Sequence, residues 1–154
     1  MGVFNFWQKK KQFFSPAASD KIVESIKLAE KQTSGEIRVY VESRCRFMDP
    51  VDRAAEIFFG LKMDKTDDRN GVLVYVAMKD HQLAVFGDEG IHKKVGNEFW
   101  KLEVQKMIAQ FNRDNYAEGI VGIISSIGEA LRTHFPYSMA TDKNELPDDI
   151  VFGR

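Results

Sequence analysis

The sequence predicts an α/β domain built around a mixed β-sheet, and three features of the chain support this fold class. The chain has 154 residues, of which 44% are hydrophobic. It is long enough to bury one sizeable core and too short to suggest two domains. Two strand patterns, at residues 36–42 and 71–77, flank a helix pattern, as in a right-handed βαβ unit with parallel strands. A third strand pattern, at residues 82–87, follows after so short a break that only an antiparallel hairpin can join the two strands.

The first part of the chain contains two helices and the first strand. Ser15 can accept a hydrogen bond from a backbone N–H and Pro16 suits a first turn, so a helix is predicted from there to about residue 32. The segment EIRVYVE alternates apolar and polar residues, which is the period of a strand with one face more buried than the other. A second helix begins at Asp49 and ends near Met63.

The central strand and two more helices follow. GVLVYVA, at residues 71–77, is almost wholly apolar and is therefore predicted to be a central strand buried on both faces. Asn97 is a candidate cap for a third helix, and Asp114 or Asn115 for a fourth, which Pro136 ends. About four helices are therefore expected around the sheet.

Charge and cysteine content exclude several classes of protein. Lys and Arg total 22 against 23 acidic residues, and a net charge of -1 gives no reason to expect a nucleic-acid partner. Cys45 is the only cysteine, so no internal disulfide can form, and a reducing cytoplasmic compartment fits best. The longest uncharged apolar run, GIVGIISSIG, is far below the ~20 residues that cross a bilayer, so neither a transmembrane segment nor an export signal is expected.

Both ends of the chain differ from the region between them. Residues 1–14 form an aromatic and basic arm, which is expected to pack back on the domain. Contact of this arm with a membrane surface or a partner is the alternative. Residues 139–154 are polar and are predicted to be a mobile tail or an extended segment lying on the surface.

Acidic residues from three segments are predicted to meet at one edge of the sheet. The hairpin places Val72 roughly opposite Gly87, so the loop before the second strand lies beside the residues that follow the third. The first strand runs parallel to the second, so its first residue lies at the same edge. The acids brought together in this way are Asp67, Asp68, Asp88, Glu89 and Glu36.

Two interpretations of this acidic edge follow from the residues alone. Crowded carboxylates repel one another, and Ca²⁺, a hard cation with about 6–8 oxygen ligands, would relieve the repulsion. The alternative is a solvated rim on which Arg69 and Lys65 neutralise their neighbours. The loop is not an EF-hand, because Arg69 falls where that motif needs glycine and Tyr75 where it needs glutamate.

Four segments resemble, in order and spacing, the signature segments of the TPM domain family. They are TSGEIRV at residues 33–39, DRNGVLVYV at 68–76, VFGDEGI at 85–91 and FNRDNYAEGI at 111–120. The likeness covers roughly residues 19–136 and is greatest to the small, soluble, single-domain bacterial members. It implies that residues 15–138 form a three-layer α/β/α sandwich with the small mixed sheet, the βαβ unit and its hairpin, in the middle.

The resemblance also implies binding of a divalent cation, Ca²⁺ in particular, at loops on one edge. The resemblance points to Asp67, Asp68, Asp88 and Glu89, which lie in the second and third matching segments or, for Asp67, directly before one. Glu36 and Asp114 are expected at the same edge.

Three functions are compatible with this resemblance. We favour a Ca²⁺-binding accessory or interaction domain for an unknown protein partner, with assembly or maintenance of a membrane complex as the implied role. The reason is that the sequence contains no recognisable nucleophile with a base, no histidine-rich metal centre and no phosphate-cradling loop. The second function is a metal-dependent hydrolase similar to an acid phosphatase. The third is a domain held at a membrane surface by the aromatic arm.

Overall fold

The computed structural model describes residues 13–138 and 148–153 of the chain. Its elements, in chain order, are helix α1 (Pro16–Glu30), strand β1 (Glu36–Glu42), helix α2 (Pro50–Gly60), strand β2 (Gly71–Ala77), strand β3 (Gln82–Gly87), helix α3 (Glu89–Phe111), helix α4 (Tyr116–His134) and strand β4 (Val151–Phe152). The four strands form one mixed sheet in the order β3-β2-β1-β4.

The first two helices start where their capping residues predict. The hydroxyl of Ser15 accepts a hydrogen bond from the N–H of Ala18 at 3.1 Å, and Pro16 occupies the first turn of α1. The carboxylate of Asp49 accepts a hydrogen bond from the N–H of Val51 at 2.9 Å at the start of α2. Both predicted starts are confirmed.

The pairing of the three main strands also agrees with the sequence analysis. β1 and β2 are parallel, with Glu36 opposite Gly71. β2 and β3 are antiparallel, with Val72 opposite Gly87. Every residue of β2 is buried, as its apolar sequence predicts. The βαβ unit, the hairpin and its register are therefore confirmed.

Side chains of the sheet alternate between two cores. Val74 belongs to the larger core, which β2 shares with α1, α3 and α4. Leu73 and Tyr75 belong to the smaller core on the opposite face, which is closed by Phe58 of α2. Because helices cover both faces of the sheet, the fold is the predicted three-layer α/β/α sandwich.

Helix α3 begins earlier than predicted. The carboxylate of Asp88 accepts a hydrogen bond from the N–H of Glu89 at 2.8 Å and so starts the helix directly after β3. At Gly96 the backbone leaves helical geometry, with φ of 78°, a left-handed conformation that glycine adopts without strain. The predicted start at Asn97 coincides with this interruption. The prediction was therefore wrong for the beginning of α3 and right for its second segment.

The end of the chain contributes a fourth strand. Val151 pairs with Tyr40 in parallel, which places β4 beside β1. The ring of Phe13 stacks on that of Phe152 with centroids 6.1 Å apart, and Phe14 is buried. Of the predicted tail, residues 151–152 are extended, whereas Ile150 is buried in the larger core and does not lie on the surface. The expected packing of the arm is seen for its last two residues. The rest of the arm and residues 139–147 lie outside the described residues.

Candidate metal site

One edge of the sheet collects the acidic segments that the strand order brings together. Because Glu36 is opposite Gly71 and Val72 is opposite Gly87, three segments lie along this edge. These are the start of β1, the loop before β2 and the residue after β3. The three segments therefore share one edge, as the strand pairing predicts, but their acids do not form a single group. The carboxylates form two groups, one around Asp88 and one around Glu36.

Arg69 neutralises the group around Asp88. Its guanidinium donates to both oxygens of Asp88, from Nε at 2.6 Å and from Nη2 at 2.8 Å, and its Nη1 lies 3.3 Å from Glu89. Such a bidentate pair is among the stronger interactions of a carboxylate. Asp88 is only 2% exposed and also caps α3. Both oxygens of Asp88 therefore accept hydrogen bonds from the protein itself. This agrees with the second interpretation of the acidic edge, in which Arg69 neutralises its neighbours.

The loop that carries Asp67 and Asp68 is held against the start of α3. The N–H of Gly90 donates to the carbonyl of Arg69 at 2.8 Å, and a Cβ at Gly90 would collide with the carbonyl oxygen of Asp68. Asp67 and Asp68 are exposed, and the side chain of Glu89 is 58% exposed. Cation binding stays a prediction for the four acids of this part of the edge, Asp67, Asp68, Asp88 and Glu89.

Asp114 does not lie at this edge. Helix α3 starts at the edge, and its 23 residues carry the chain to the opposite end of the sheet. There the hydroxyl of Tyr116 donates to Asp114 at 3.2 Å, and the Tyr116 ring lies 6.5 Å from that of His81 in the turn between β2 and β3. The expectation that Asp114 joins the other acids was wrong, because a long helix separates it from them.

The group around Glu36 consists of Glu30, Glu36 and Asp148. Each offers one carboxylate oxygen, and these three oxygens all lie within 4.8 Å of one another. Glu36 is buried, and the other two residues are half-buried. Acids this close repel one another unless protons, hydrogen bonds or a cation compensate the charge.

Three elements distant in sequence position these acids. Glu30 is the last residue of α1, Glu36 is the first of β1, and Asp148 precedes β4, which pairs with β1. The carboxylate of Glu30 accepts a hydrogen bond from the N–H of Ile37 at 2.8 Å, which joins the end of the helix to the start of the strand. The cluster therefore forms only when the segment that ends in β4 lies against β1.

Burial and crowding change the protonation of Glu30. Burial is the main reason why the pKa of Glu30 rises from 4.5 to about 11, and the hydrogen bond with Asp148 and the charge of Glu36 act in the same direction. The N–H of Ile37 acts in the opposite direction. Glu30 therefore carries a proton at neutral pH when no cation is bound. A divalent cation at these oxygens would replace that proton.

A buried asparagine is hydrogen bonded to the backbone of Glu36. Asn70 is 1% exposed, and its backbone carbonyl accepts a hydrogen bond from the N–H of Glu36 at 3.4 Å. Its side-chain nitrogen donates to Ser34 at 3.3 Å, whereas its side-chain oxygen has no hydrogen-bond partner among residues 13–138 and 148–153. Such an orphaned acceptor costs about 1–3 kcal/mol, which ligation of a cation would offset. Carboxylates with an amide oxygen are a donor set that fits Ca²⁺.

Glu36 was predicted at this edge from the sequence, whereas Glu30 and Asp148 were not. A signal for Glu30 was present, because an acid at the C-terminal end of a helix faces the negative end of the helix dipole. Such a residue needs a compensating partner. Asp148 carries no comparable signal, since it lies in a polar segment before a strand of only two residues.

The fold and the site define a small α/β sandwich domain with a cluster of three acids at one edge of its sheet. The family model of the TPM domain matches residues 8–130. The chain therefore belongs to the TPM domain family, as the four signature segments indicated. No curated protein matches the chain.

Two solved structures are similar to this chain. The BA42 protein of the psychrophilic bacterium Bizionia argentinensis, solved by NMR, is 40% identical, with a TM-score of 0.84 over 92% of this chain and 96% of that one. The N-terminal domain of the cg2496 protein of Corynebacterium glutamicum is 13% identical, with a TM-score of 0.58 over 78% of this chain and 75% of that one, and supports the fold alone. None of the helices in the described ranges is long and apolar enough to cross a membrane.

Proposed function

We propose that this domain is a Ca²⁺-binding accessory domain whose cation is held by Glu30, Glu36 and Asp148. The observation that carries the proposal is the meeting of their three carboxylate oxygens within 4.8 Å. The buried side-chain oxygen of Asn70, whose backbone carbonyl accepts a hydrogen bond from the N–H of Glu36, would be a further neutral ligand. Oxygen donors without histidine or cysteine favour Ca²⁺ or Mg²⁺ over the transition metals. Adaptable carboxylates from three separate elements suit the larger and less demanding Ca²⁺ better than Mg²⁺.

A bound cation would link the parts of the fold that supply its ligands. These are the C-terminal end of α1, the start of β1 and the segment that leads into β4. A ligand that binds only the folded state stabilises it in proportion to its affinity, so Ca²⁺ would strengthen the docking of β4 on β1. The cation would therefore order the β4 side of the domain.

The accessory role extends this proposal to a partner protein. Assistance in the assembly or maintenance of a membrane complex is the role that the family resemblance implies, and cation-dependent order at β4 supplies a physical means for it. The partner would distinguish the cation-loaded domain from the cation-free one through the β4 side. The acidic loop around Asp67 and Asp68 would be a secondary contact for cations, because its carboxylates are exposed.

Calorimetric titration with Ca²⁺ tests the proposal on the full chain. Glu36→Gln removes one ligand charge with little change of shape and should weaken Ca²⁺ binding at least tenfold. Glu24→Gln is the matched control, because Glu24 is an exposed acid of α1 outside the cluster, and it should bind Ca²⁺ like the wild type. Equal affinity of both variants would overturn the assignment of the ligands.

The hydrolase alternative is tested on the same samples. Each protein is incubated with p-nitrophenyl phosphate in the presence of Ca²⁺ or Mg²⁺. The accessory-domain proposal predicts no turnover above the buffer rate. Turnover that is lost in Glu36→Gln and kept in Glu24→Gln would replace it with a metal-dependent phosphatase.

A further inference from the structure

A groove runs along the free edge of strand β3. β3 is the last strand of the sheet on one side, and its sequence QLAVFG contains neither the proline nor the charged residues that often protect an edge strand. A cavity of about 730 Å³ is lined by all of residues 83–87. Successive residues of a strand face opposite sides of the sheet, so a cavity that touches five in a row lies along the strand's edge.

The hydrogen-bond pattern shows which backbone groups of β3 face the groove. The N–H of Asp88 donates to the carbonyl of Gly71 at 2.9 Å, so this pair belongs to the hydrogen-bonded set of the antiparallel ladder. Every second pair along the register belongs to the same set. The residues between them turn their N–H and C=O groups away from β2, and they are Leu83, Val85 and Gly87. Within the described ranges, no residue outside the sheet hydrogen bonds to these groups.

The walls of the groove are largely apolar. Val51 and Phe59 line it from α2 and are 53% and 49% exposed. Trp100 lines it from α3, and its ring packs directly on Gly87. Although β3 is an edge strand, Val85 is only 7% exposed, because its side chain packs in the larger core. Because α2 and α3 both pack on β3, a strand added at this edge would lie beside both helices.

Of the lysines and arginines in the described lining of the groove, Lys101 is the one whose ion-pair partner lies outside the lining. Arg69 is paired with both acids of the lining, Asp88 and Glu89. Lys101 lines the groove as well, and its ion-pair partner Glu98, 3.5 Å away, is 82% exposed and outside the lining. An exposed pair of this kind contributes little and exchanges easily. An acidic group on a bound ligand would therefore complement Lys101.

We propose that this groove binds an extended segment of a partner protein, which adds to β3 as a further strand. Its backbone would pair with the outward N–H and C=O groups of Leu83, Val85 and Gly87. Its apolar side chains would contact α2 on one side and α3 on the other, and an acidic side chain would lie at Lys101. Such strand addition obtains affinity from the backbone and selectivity from alternate side-chain pockets. The groove is at the β3 end of the sheet and the cation cluster at the β1–β4 side, so either proposal can fail without the other.

A peptide probe tests the backbone part of the proposal. The probe is a short acetylated peptide in which valine alternates with threonine and one residue is glutamate, and its control carries N-methyl groups on alternate backbone nitrogens. Titration into the isotope-labelled full chain should shift the amide signals of Leu83, Val85 and Gly87. The control should bind at least tenfold more weakly, because it has lost its donors. No shift at about millimolar peptide, or equal binding of the control, would overturn the proposal.

Charge reversal at Lys101 tests whether an acidic side chain of the ligand lies there. Lys101→Glu should weaken binding of the glutamate peptide about fivefold and strengthen binding of a peptide with lysine in its place. Lys94 is an exposed residue of α3 outside the lining, so Lys94→Glu should change the binding of neither peptide. Val85→Pro should abolish binding without removing a bond to β2, since the N–H of Val85 points into the groove. If Lys101→Glu binds both peptides like the wild type, the charge assignment is wrong.

Other occupants of the groove give distinct results. If dilution lowers the molecular mass and also shifts the amide signals of Leu83, Val85 and Gly87, the occupant is a second copy of this chain. A shift of these amides in the full-length Trp7→Ser variant, without peptide, would identify the chain's own N-terminal arm. Either result would overturn the assignment to a partner segment.

Discussion

Replacing Glu30 by glutamine should stabilise the cation-free protein at neutral pH. In the folded state Glu30 keeps its proton, because its pKa is about 11, whereas in the unfolded chain the proton leaves near pH 4.5. Folding at neutral pH therefore takes up a proton. The stability that Glu30 contributes is complete below pH 4.5 and is lost as the pH rises toward 11. Glutamine keeps the shape of the neutral side chain without this dependence on pH.

The size of the effect follows from the difference between pH 7 and the pKa of Glu30 in the unfolded chain. Each pH unit above 4.5 costs about 1.4 kcal/mol for one proton taken up on folding, so the cost approaches about 3 kcal/mol at pH 7. The folded pKa has only to exceed 7 for this result. Half-burial of Glu30 makes the figure an upper limit, because solvent screens part of the interaction.

Urea unfolding in EDTA measures this difference. At pH 7 the free energy of unfolding of Glu30→Gln should exceed that of the wild type by up to about 3 kcal/mol, and near pH 4 the two should agree. The control Glu24→Gln should follow the wild type at both values of pH, since Glu24 is exposed. A Glu30→Gln protein with the pH dependence of the wild type, or with lower stability at pH 7, would refute the reasoning.

Three further predictions concern the same edge of the sheet. Ca²⁺ binding at pH 7 should release about one proton per ion, seen as a dependence of the binding heat on the ionisation enthalpy of the buffer, and a heat independent of the buffer would contradict it. Arg69→Gln leaves Asp88 buried beside an uncharged side chain and should lower the midpoint of urea unfolding, whereas Lys65→Gln, at an exposed pair, should leave the midpoint nearly unchanged. Gly90→Ala should cost about 2 kcal/mol in the same assay, because the added Cβ meets the carbonyl oxygen of Asp68, and a neutral result would show that the loop can move away.

Local patterns explain why the centre of the sheet was predicted correctly. The apolar run of β2 has no alternative to a central strand, and the short turn after it sets the register that pairs Val72 with Gly87. The parallel pairing of Glu36 with Gly71 follows from the intervening helix. These relations depend on neighbouring segments, so the sequence contains them.

The candidate site was only partly predictable because it depends on distant segments. Glu36 was expected at the edge, but its companions come from the end of α1 and from the segment before β4. A strand of two residues is too short to leave a periodic pattern, so nothing in the sequence indicated that Asp148 lies beside β1. Asp88 was interpreted as a ligand although its position before a helix is equally typical of a cap, and the structure gives it that role together with Arg69.

A Ca²⁺ titration followed by amide shifts tests the central claim most directly, because it locates the cation without assuming its ligands. The proposed site predicts that the largest shifts occur at Glu30, Glu36, Ile37, Asn70 and Asp148, and that Glu36→Gln removes them. Shifts confined to Asp67, Asp68 and Glu89 would move the site to the other part of the edge. If Ca²⁺ moves no signal at either place, the cluster is held together by its proton and the domain is not a calcium-binding protein.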